Sequence, residues 1–371
     1  MRSRSQSHAG FTLIELLVAM ALIVFIMVIL AEAFGAGMET FRQLKAIGDM
    51  EENMRTATIV LRDDLAQDHF TGKRRLSDPN IVRDPIRDGF FAVRGSTPIA
   101  EGNGDAFGMP SFRAVDHMIY MTVKKKGNRQ ENFFHTTVTG APPAITTDPF
   151  FAQMTALNTP PAELAQYTWA PPYVAGSGSG TYGSQWAEVL YYLSPTGTTA
   201  APNDPTSLLG TPTYSLFRAQ WVMVPDSTNV NGKIGNASLD GFAGLACNPG
   251  PAPLNTLTFF SPTDAALGNR VISNFTPMGP AFNYTNGRLF KSGVRETLLM
   301  PNVISFQVQI MPNTTPSVFI DPPPIGYDTG RFNTGVNAGF PQYGIKAIQI
   351  TMRVWDGTAQ QTRQVTIVQD M

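Results

Sequence analysis

One carboxylate stands where carboxylates are rare. Glu15 lies four residues into the segment 11–31, FTLIELLVAMALIVFIMVILA, in which Leu16 to Ala31 is an unbroken apolar run. A charged side chain deep in a membrane helix costs roughly 2.5–3.5 kcal/mol on insertion scales and is functional by default. Such a carboxylate calls for a positive partner. None is within reach on the same helix, except a free amine created by cleavage of the chain nearby. Glu15 is therefore the candidate site residue, and its chemistry would be amine–carboxylate pairing.

The remaining reactive residues form no such constellation. Cys247 is the single cysteine, so an intramolecular disulfide framework and a cysteine-based zinc site are both excluded. The four histidines, His8, His69, His117 and His135, are scattered. H-E-x-x-H, P-loop and EF-hand patterns are missing. Gly176 to Gly180 reads GSGSG, which puts Gly178 at the nucleophile position of a G-x-S-x-G elbow, so it reads as a flexible loop. Gly102-Asn103-Gly104 lacks the third glycine of a dinucleotide fingerprint. Asp226, Asp240 and Asp321 show no calcium-ligand spacing. Asp63-Asp64 reads as a solvated helix edge or a pair for Arg62. The run Lys124 to Lys126 reads as solvated turn charge. The expectation is no catalytic residue, no cofactor and no metal. The net charge is -1, and nucleic acid is not an expected partner.

Positioning Glu15 is the task of a long helix. About 20 apolar residues suffice to span a bilayer. Arg2 and Arg4 precede the span, so the positive-inside rule puts residue 1 in the cytoplasm and the C-terminus outside. No proline occurs before Pro79, and from Phe34 to Leu65 the apolar residues recur at steps of three and four. The pattern predicts a helix from Thr12 to about Asp68. Its second half would pack on a head through Phe34, Met38, Phe41, Leu44, Ile47, Met50, Met54, Ala57, Leu61 and Leu65. Gly35, Gly37 and Gly48 weaken it by up to about 1 kcal/mol each and are candidates for a flexible joint. Two blander readings use the same residues. One is an ordinary signal peptide cut after Ala31-Glu32-Ala33; the other is a plain single-pass anchor. Against the signal peptide stand an apolar run longer than the usual 7–15 residues and the presence of Glu15.

The rest of the chain reads as strands and long loops. Length alone suggests two or three domains, but charged residues are only 15%, against roughly 25% in typical soluble proteins, and turn residues divide the apolar material. Asp116 to Lys125 is expected to pair with Glu131 to Val138 across Gly127-Asn128. Glu188 to Leu193, Tyr214 to Val224, Ile304 to Ile310, Ile348 to Val354 and Gln364 to Gln369 read as further strands, the last two joined by an Asp356-Gly357 turn. The expected organisation is a leader (1–10), a transmembrane half-helix (11–31), an amphipathic half-helix (32–70) and a β-rich head (71–371). Within the head, 141–181, 195–213 and 225–296 read as loops.

The string Gly10-Phe11-Thr12-Leu13-Ile14-Glu15-Leu16-Leu17 resembles the cleavage and methylation signal of type IV pilin-like proteins. The resemblance implies cleavage between Gly10 and Phe11 by a prepilin peptidase/methyltransferase, N-methylation of Phe11, and Glu15 as the assembly carboxylate. A second likeness covers the first 70 residues and about 60 more. LRDDL at Leu61 to Leu65, then EVLYYLSP, YSLFR, LMPNVISFQVQI and IKAIQITMRVWDG, are similar in kind and order to J-type minor pseudopilins of type II secretion. K-type pseudopilins typically lack the glutamate. The length and loop-rich composition also resemble Verru_Chthon cassette protein C. The head is larger than usual for J-type subunits. The fold so implied is α+β and pilin-like: one long helix packed on an antiparallel sheet with large insertions. The function so implied is that of a non-enzymatic minor pilin or pseudopilin, held in the inner membrane with its head outside. Its partners would be other pilins or pseudopilins, at the tip of a pilus or of a secretion pseudopilus. The alternatives are a pilus-tip adhesin or DNA-uptake minor pilin and, from another class, a secreted enzyme behind an ordinary signal peptide.

Overall fold

The structure, a computed structural model, describes residues 12–70, 74–78, 89–95, 98–101, 111–127, 129–139, 168–169, 179–200, 210–223, 245–246, 295–323, 326–329 and 343–371. Its first element is one α-helix, α1, Leu13–Ala66, of 54 residues. At 1.5 Å per residue it is about 80 Å long. Thr12 caps its start, and the extended backbone of Gln67 ends it. The helix runs without a break through Gly35, Gly37 and Gly48. The single helix expected from Thr12 to about Asp68 is thus one element, with no break at the glycines read as candidates for a joint.

An antiparallel sheet receives the last third of α1. Its strands are β1 (Phe91–Arg94), β4 (Met118–Lys124), β8 (Trp186–Ala200), β9 (Thr211–Met223), β11 (Arg295–Pro312), β12 (Tyr327–Asp328), β13 (Ile345–Asp356) and β14 (Gln361–Asp370), in the order β12-β1-β4-β8-β9-β11-β13-β14. A two-residue strand, β10 (Leu245–Ala246), pairs in parallel with the end of β9. Small sheets β2-β3 (Ile99–Glu101, Ser111–Arg113) and β5-β7-β6 (Phe134–Thr139, Ser179–Ser184, Thr168–Trp169) stand apart from it. Alternation decides which strand face meets the helix. Phe306, Val308, Ile310, Ile348, Ile350 and Met352 are fully buried and join Met50, Met54, Ala57, Leu61 and Leu65 of α1 in one core. Burying each of the larger side chains stabilises the contact by about 1.5–3 kcal/mol. The architecture is the α+β, pilin-like one that the residues predict.

Several local expectations are corrected. β4 and β5 do not form a hairpin: β4 pairs with β1 and β8, and β5 pairs with β7. Met118 to Val123 is buried along its whole length, so β4 is an interior strand that needs partners on both edges. The expected loop 195–213 supplies Pro195 to Ala200 to β8 and Thr211 to Thr213 to β9. Those strands stay paired across an irregularity at Pro195 to Thr199, where Gly197 has a φ of 78°. Thr196, Thr198 and Thr213 join hydroxyls there at 2.6–2.7 Å. The expected loop 141–181 contains β6 and the start of β7, including Ser179-Gly180 of the glycine-serine run; 225–296 contains β10 and the start of β11. The lysine run is engaged rather than merely solvated. Lys124 stands 5.3 Å from the Trp186 ring centre, Lys125 4.6 Å from that of Phe134, and Lys126 3.1 Å from the Asp68 carboxylate.

Candidate functional site

The candidate site begins where the described chain begins. Gly10 and Phe11 lie outside the described residues. Thr12 and Glu15 form a reciprocal cap: the Thr12 amide and hydroxyl each donate to Glu15 Oε2 at 2.8 Å, and the Glu15 amide donates to Thr12 Oγ1 at 3.4 Å. The signal for it is in the sequence, since Thr12-Leu13-Ile14-Glu15 is an S/T-x-x-E capping box. The sequence asks for a positive partner for Glu15 and finds none on the same helix; the cap gives the carboxylate neutral donors only, with no cation among the described residues. From Leu13 to Leu30 every large apolar side chain of α1 is exposed. This segment is long and apolar enough to cross a membrane.

The exposed stripe continues beyond the span. Phe34, Met38 and Phe41 are 75%, 53% and 66% exposed, and Leu44 is exposed as well. The expectation that all ten apolar positions pack on the head is corrected by helix geometry. At 3.6 residues per turn, Phe34, Met38 and Phe41 fall within an arc of about 60°. The steps from Phe41 through Leu44 and Ile47 to Met50 are all threes, and three such steps turn the stripe by about 180°. The residues that bury in the sheet, Met50 to Leu65, consequently lie on the opposite side of the helix from Phe34 to Phe41. The helix has two apolar faces, one occupied by its own head and one open.

A buried charge cluster fixes the helix end on the sheet. Asp64 is 4% exposed. Its Oδ2 accepts from Arg218 Nε at 2.7 Å and its Oδ1 from Arg218 Nη2 at 3.1 Å, while the Tyr191 hydroxyl also donates to Oδ2. Arg218 Nη1 donates to Gln220 Oε1 at 2.8 Å. Burial opposes the Arg218 charge, but the Asp64 carboxylate and its hydrogen bonds outweigh burial and raise the guanidinium above its usual range. Burial, with the Asp64 charge behind it, pushes the Tyr191 phenol well up. Asp64 as a solvated edge or a partner of Arg62 is therefore corrected. The LRDDL and YSLFR segments meet through this pair. The four strands that carry YSLFR and the other three quoted segments are neighbours, β8-β9-β11-β13. Nearby, the buried His69 lies within 2.8 Å of the Thr122 carbonyl through Nδ1 and 3.3 Å of the Leu65 carbonyl through Nε2. Burial pulls its imidazole down, against both carbonyls and the charges of Asp64 and Asp68. Asp321 accepts from Gln307 and Gln309 at 2.8 and 3.3 Å. Asp226, Asp240, Cys247 and Gly102 to Gly104 lie outside the described residues.

With this geometry in place, the match to known sequence families is short and placed at the helix start. The family model of the prokaryotic N-terminal methylation motif matches residues 5–31. The match supports a type IV pilin-like protein, and the long apolar helix on an antiparallel sheet is consistent with that fold. The motif points to a structural subunit processed by prepilin peptidase, and the exposed apolar half of α1 is consistent with membrane anchoring through one N-terminal helix. No curated protein and no solved structure matches the chain.

Proposed function

We propose that the chain is a non-enzymatic minor pilin or pseudopilin that caps a filament built on bundled N-terminal helices. In this reading a prepilin peptidase cuts between Gly10 and Phe11, Phe11 is N-methylated, and Glu15 neutralises the amine of a neighbouring subunit. The observation that carries the assembly role is the second apolar face of α1. Phe34, Met38 and Phe41 continue the motif-bearing segment on the side facing away from the head, where a neighbouring helix can pack. The order of the quoted segments along the chain favours the J-type subunit of a secretion pseudopilus within this class.

Size argues for the tip. A compact head of about 300 residues has a radius of gyration near 19 Å, hence a diameter on the order of 50 Å. Packed helices stand only about 8–10 Å apart. Heads this large collide if every subunit carries one, so the chain is expected to be rare and terminal. The test is a count on purified filaments by quantitative mass spectrometry, with immunogold labelling of the head. The proposal predicts label at filament ends and a stoichiometry far below that of the shaft subunit. Label along the whole shaft at a ratio near one overturns it.

A further inference from the structure

Helix α1 is apolar over different lengths on its two sides. At about 100° per residue, Ile23, Met27 and Leu30 of the span fall on the same arc as Phe34, Met38 and Phe41. All six side chains are exposed. From Leu13 to Phe41 this arc carries no charge, a length of about 42 Å at 1.5 Å per residue. The charge that closes it is Lys45, one turn beyond Phe41 and exposed. The opposite side ends sooner. Glu32 stands there, about 28 Å from Leu13, with Glu39 and Gln43 beyond it, all exposed. Met50, Met54, Ala57, Leu61 and Leu65, which carry the head, lie on that opposite side as well.

The hydrocarbon core of a bilayer is about 30 Å thick. An upright helix fits it on the short side. On the long side it leaves Met38 and Phe41 in water, about 10 and 15 Å past Ala31 along the axis. Sliding α1 along its axis to cover them draws Glu32 into the core, at roughly 2.5–3.5 kcal/mol. Tilting is the other accommodation of an over-long apolar face. The helix is unbroken at Gly35 and Gly37, so lowering one side raises the other. We propose that, before any partner subunit joins, α1 lies tilted onto the lipid surface on the head's side of the bilayer. Phe34, Met38 and Phe41 then enter the headgroup zone, and Lys45 reaches lipid phosphates. Two observations favour lipid as the occupant. The face continues the span without interruption, and the charge that closes it is a cation, which suits a phosphate-bearing surface. The tilt is also sterically open. The head is mounted on the raised side, so it is lifted from the bilayer rather than pressed onto it. Glu32 and Glu39 stay in water on that same side.

The inference rests on the membrane-anchored reading, and one experiment separates their failures. With the single native cysteine removed by Cys247→Ser, a nitroxide spin label is attached to the full-length chain carrying Ile23→Cys, Met38→Cys, Glu39→Cys or Phe41→Cys, all exposed positions. Each chain is reconstituted without partners in vesicles of phosphatidylcholine and phosphatidylglycerol. Electron paramagnetic resonance compares collisions of the label with molecular oxygen, which concentrates in lipid, and with a nickel chelate confined to water. The expected ratio of oxygen to nickel collisions is highest at Ile23, and at Met38 and Phe41 it exceeds that at Glu39 by about threefold or more. Lys45→Gln is expected to lower the Phe41 ratio on the order of twofold. Equal, water-like ratios at Met38, Glu39 and Phe41 mean an upright helix and overturn the tilt. Shielding of Met38 and Phe41 from both reagents means that protein covers the face, and overturns the lipid contact. Either result, with Ile23 still in lipid, leaves the anchored reading intact. An unchanged Phe41 ratio in Lys45→Gln overturns the phosphate contact. A water-like or doubly shielded Ile23 overturns the anchored reading and the inference with it.

Discussion

Thr12 closes on Glu15 through its amide and its hydroxyl, so the carboxylate enters the apolar helix with two donors already at 2.8 Å. On the proposed reading one residue both caps the helix and pairs a neighbour's charge, and two substitutions separate the two roles. Glu15→Gln keeps a capping box, because glutamine serves at that position, while Glu15→Ala loses it. Losing the cap costs the helix about 0.5–2 kcal/mol, and removing a carboxylate eases membrane insertion. Both variants are expected to insert and to be cleaved. Both are also expected to lose recruitment into filaments, on the order of a hundredfold, because a neighbour's amine in low dielectric loses its counter-ion. Co-purification with filaments reads this out. Wild-type recruitment of Glu15→Gln removes the charge from the mechanism. A second residue-scale expectation concerns His69. Its folded pKa is depressed chiefly by burial, so the unfolded chain takes up the proton first as pH falls. Its contribution is present above about 6.5, the unfolded value, and is lost as pH falls from there toward the lower folded value. The slope is at most about 1.4 kcal/mol per pH unit. Urea unfolding of the detergent-solubilised chain at pH 7.5 and 5.5 should show this loss, and His69→Gln should flatten it; an equal loss in the variant assigns the effect elsewhere.

At the scale of elements, the helix end and strand β9 are held together by the pair Asp64–Arg218, with Asp64 buried and Arg218 mostly so. Removing one partner strands a charge in the core, so Asp64→Ala should destabilise the head by about 3–5 kcal/mol in urea unfolding. Asp64→Leu combined with Arg218→Met removes both charges and should cost much less than the two single changes summed. Additive losses contradict a coupled pair. This pair also marks the limit of what the chain makes legible. The helix, its apolar span and the alternating strands β11 and β13 follow from periodicities of 3.6 and 2 that one face of burial imposes. Asp64 carries no such signal, because its partner lies 154 positions away and only the fold joins them. Strand β4 misleads for a related reason. A strand buried on both faces gives no alternation, and its nearest neighbour in sequence looks like its partner when β1 and β8 are the true ones. The capping box at Thr12 is legible as S/T-x-x-E, whereas the cation that Glu15 needs has no counterpart on the same helix. The stripe from Phe34 to Leu65 was legible as helix and illegible as a face, since three successive steps of three move it to the other side.

For the whole molecule, the fold separates two tasks along one helix. The first two-thirds of α1 presents apolar surface that is uncovered among the described residues, and the last third carries the head through a core and an ion pair. Such a chain is useful only if lipid, and then other helices, take the exposed part, which is the behaviour expected of a processed pilin-like subunit. Everything in that account begins with one cut. Gly10→Val should leave the precursor in the inner membrane with Arg2 and Arg4 still attached, while the wild type is released for assembly. The most direct measurement is the mass of the mature N-terminal peptide of the wild-type protein. The account predicts a chain that starts at N-methylated Phe11. A chain that starts at Phe34, after Ala31-Glu32-Ala33, or one that keeps residues 1–10 in the assembled state, contradicts it.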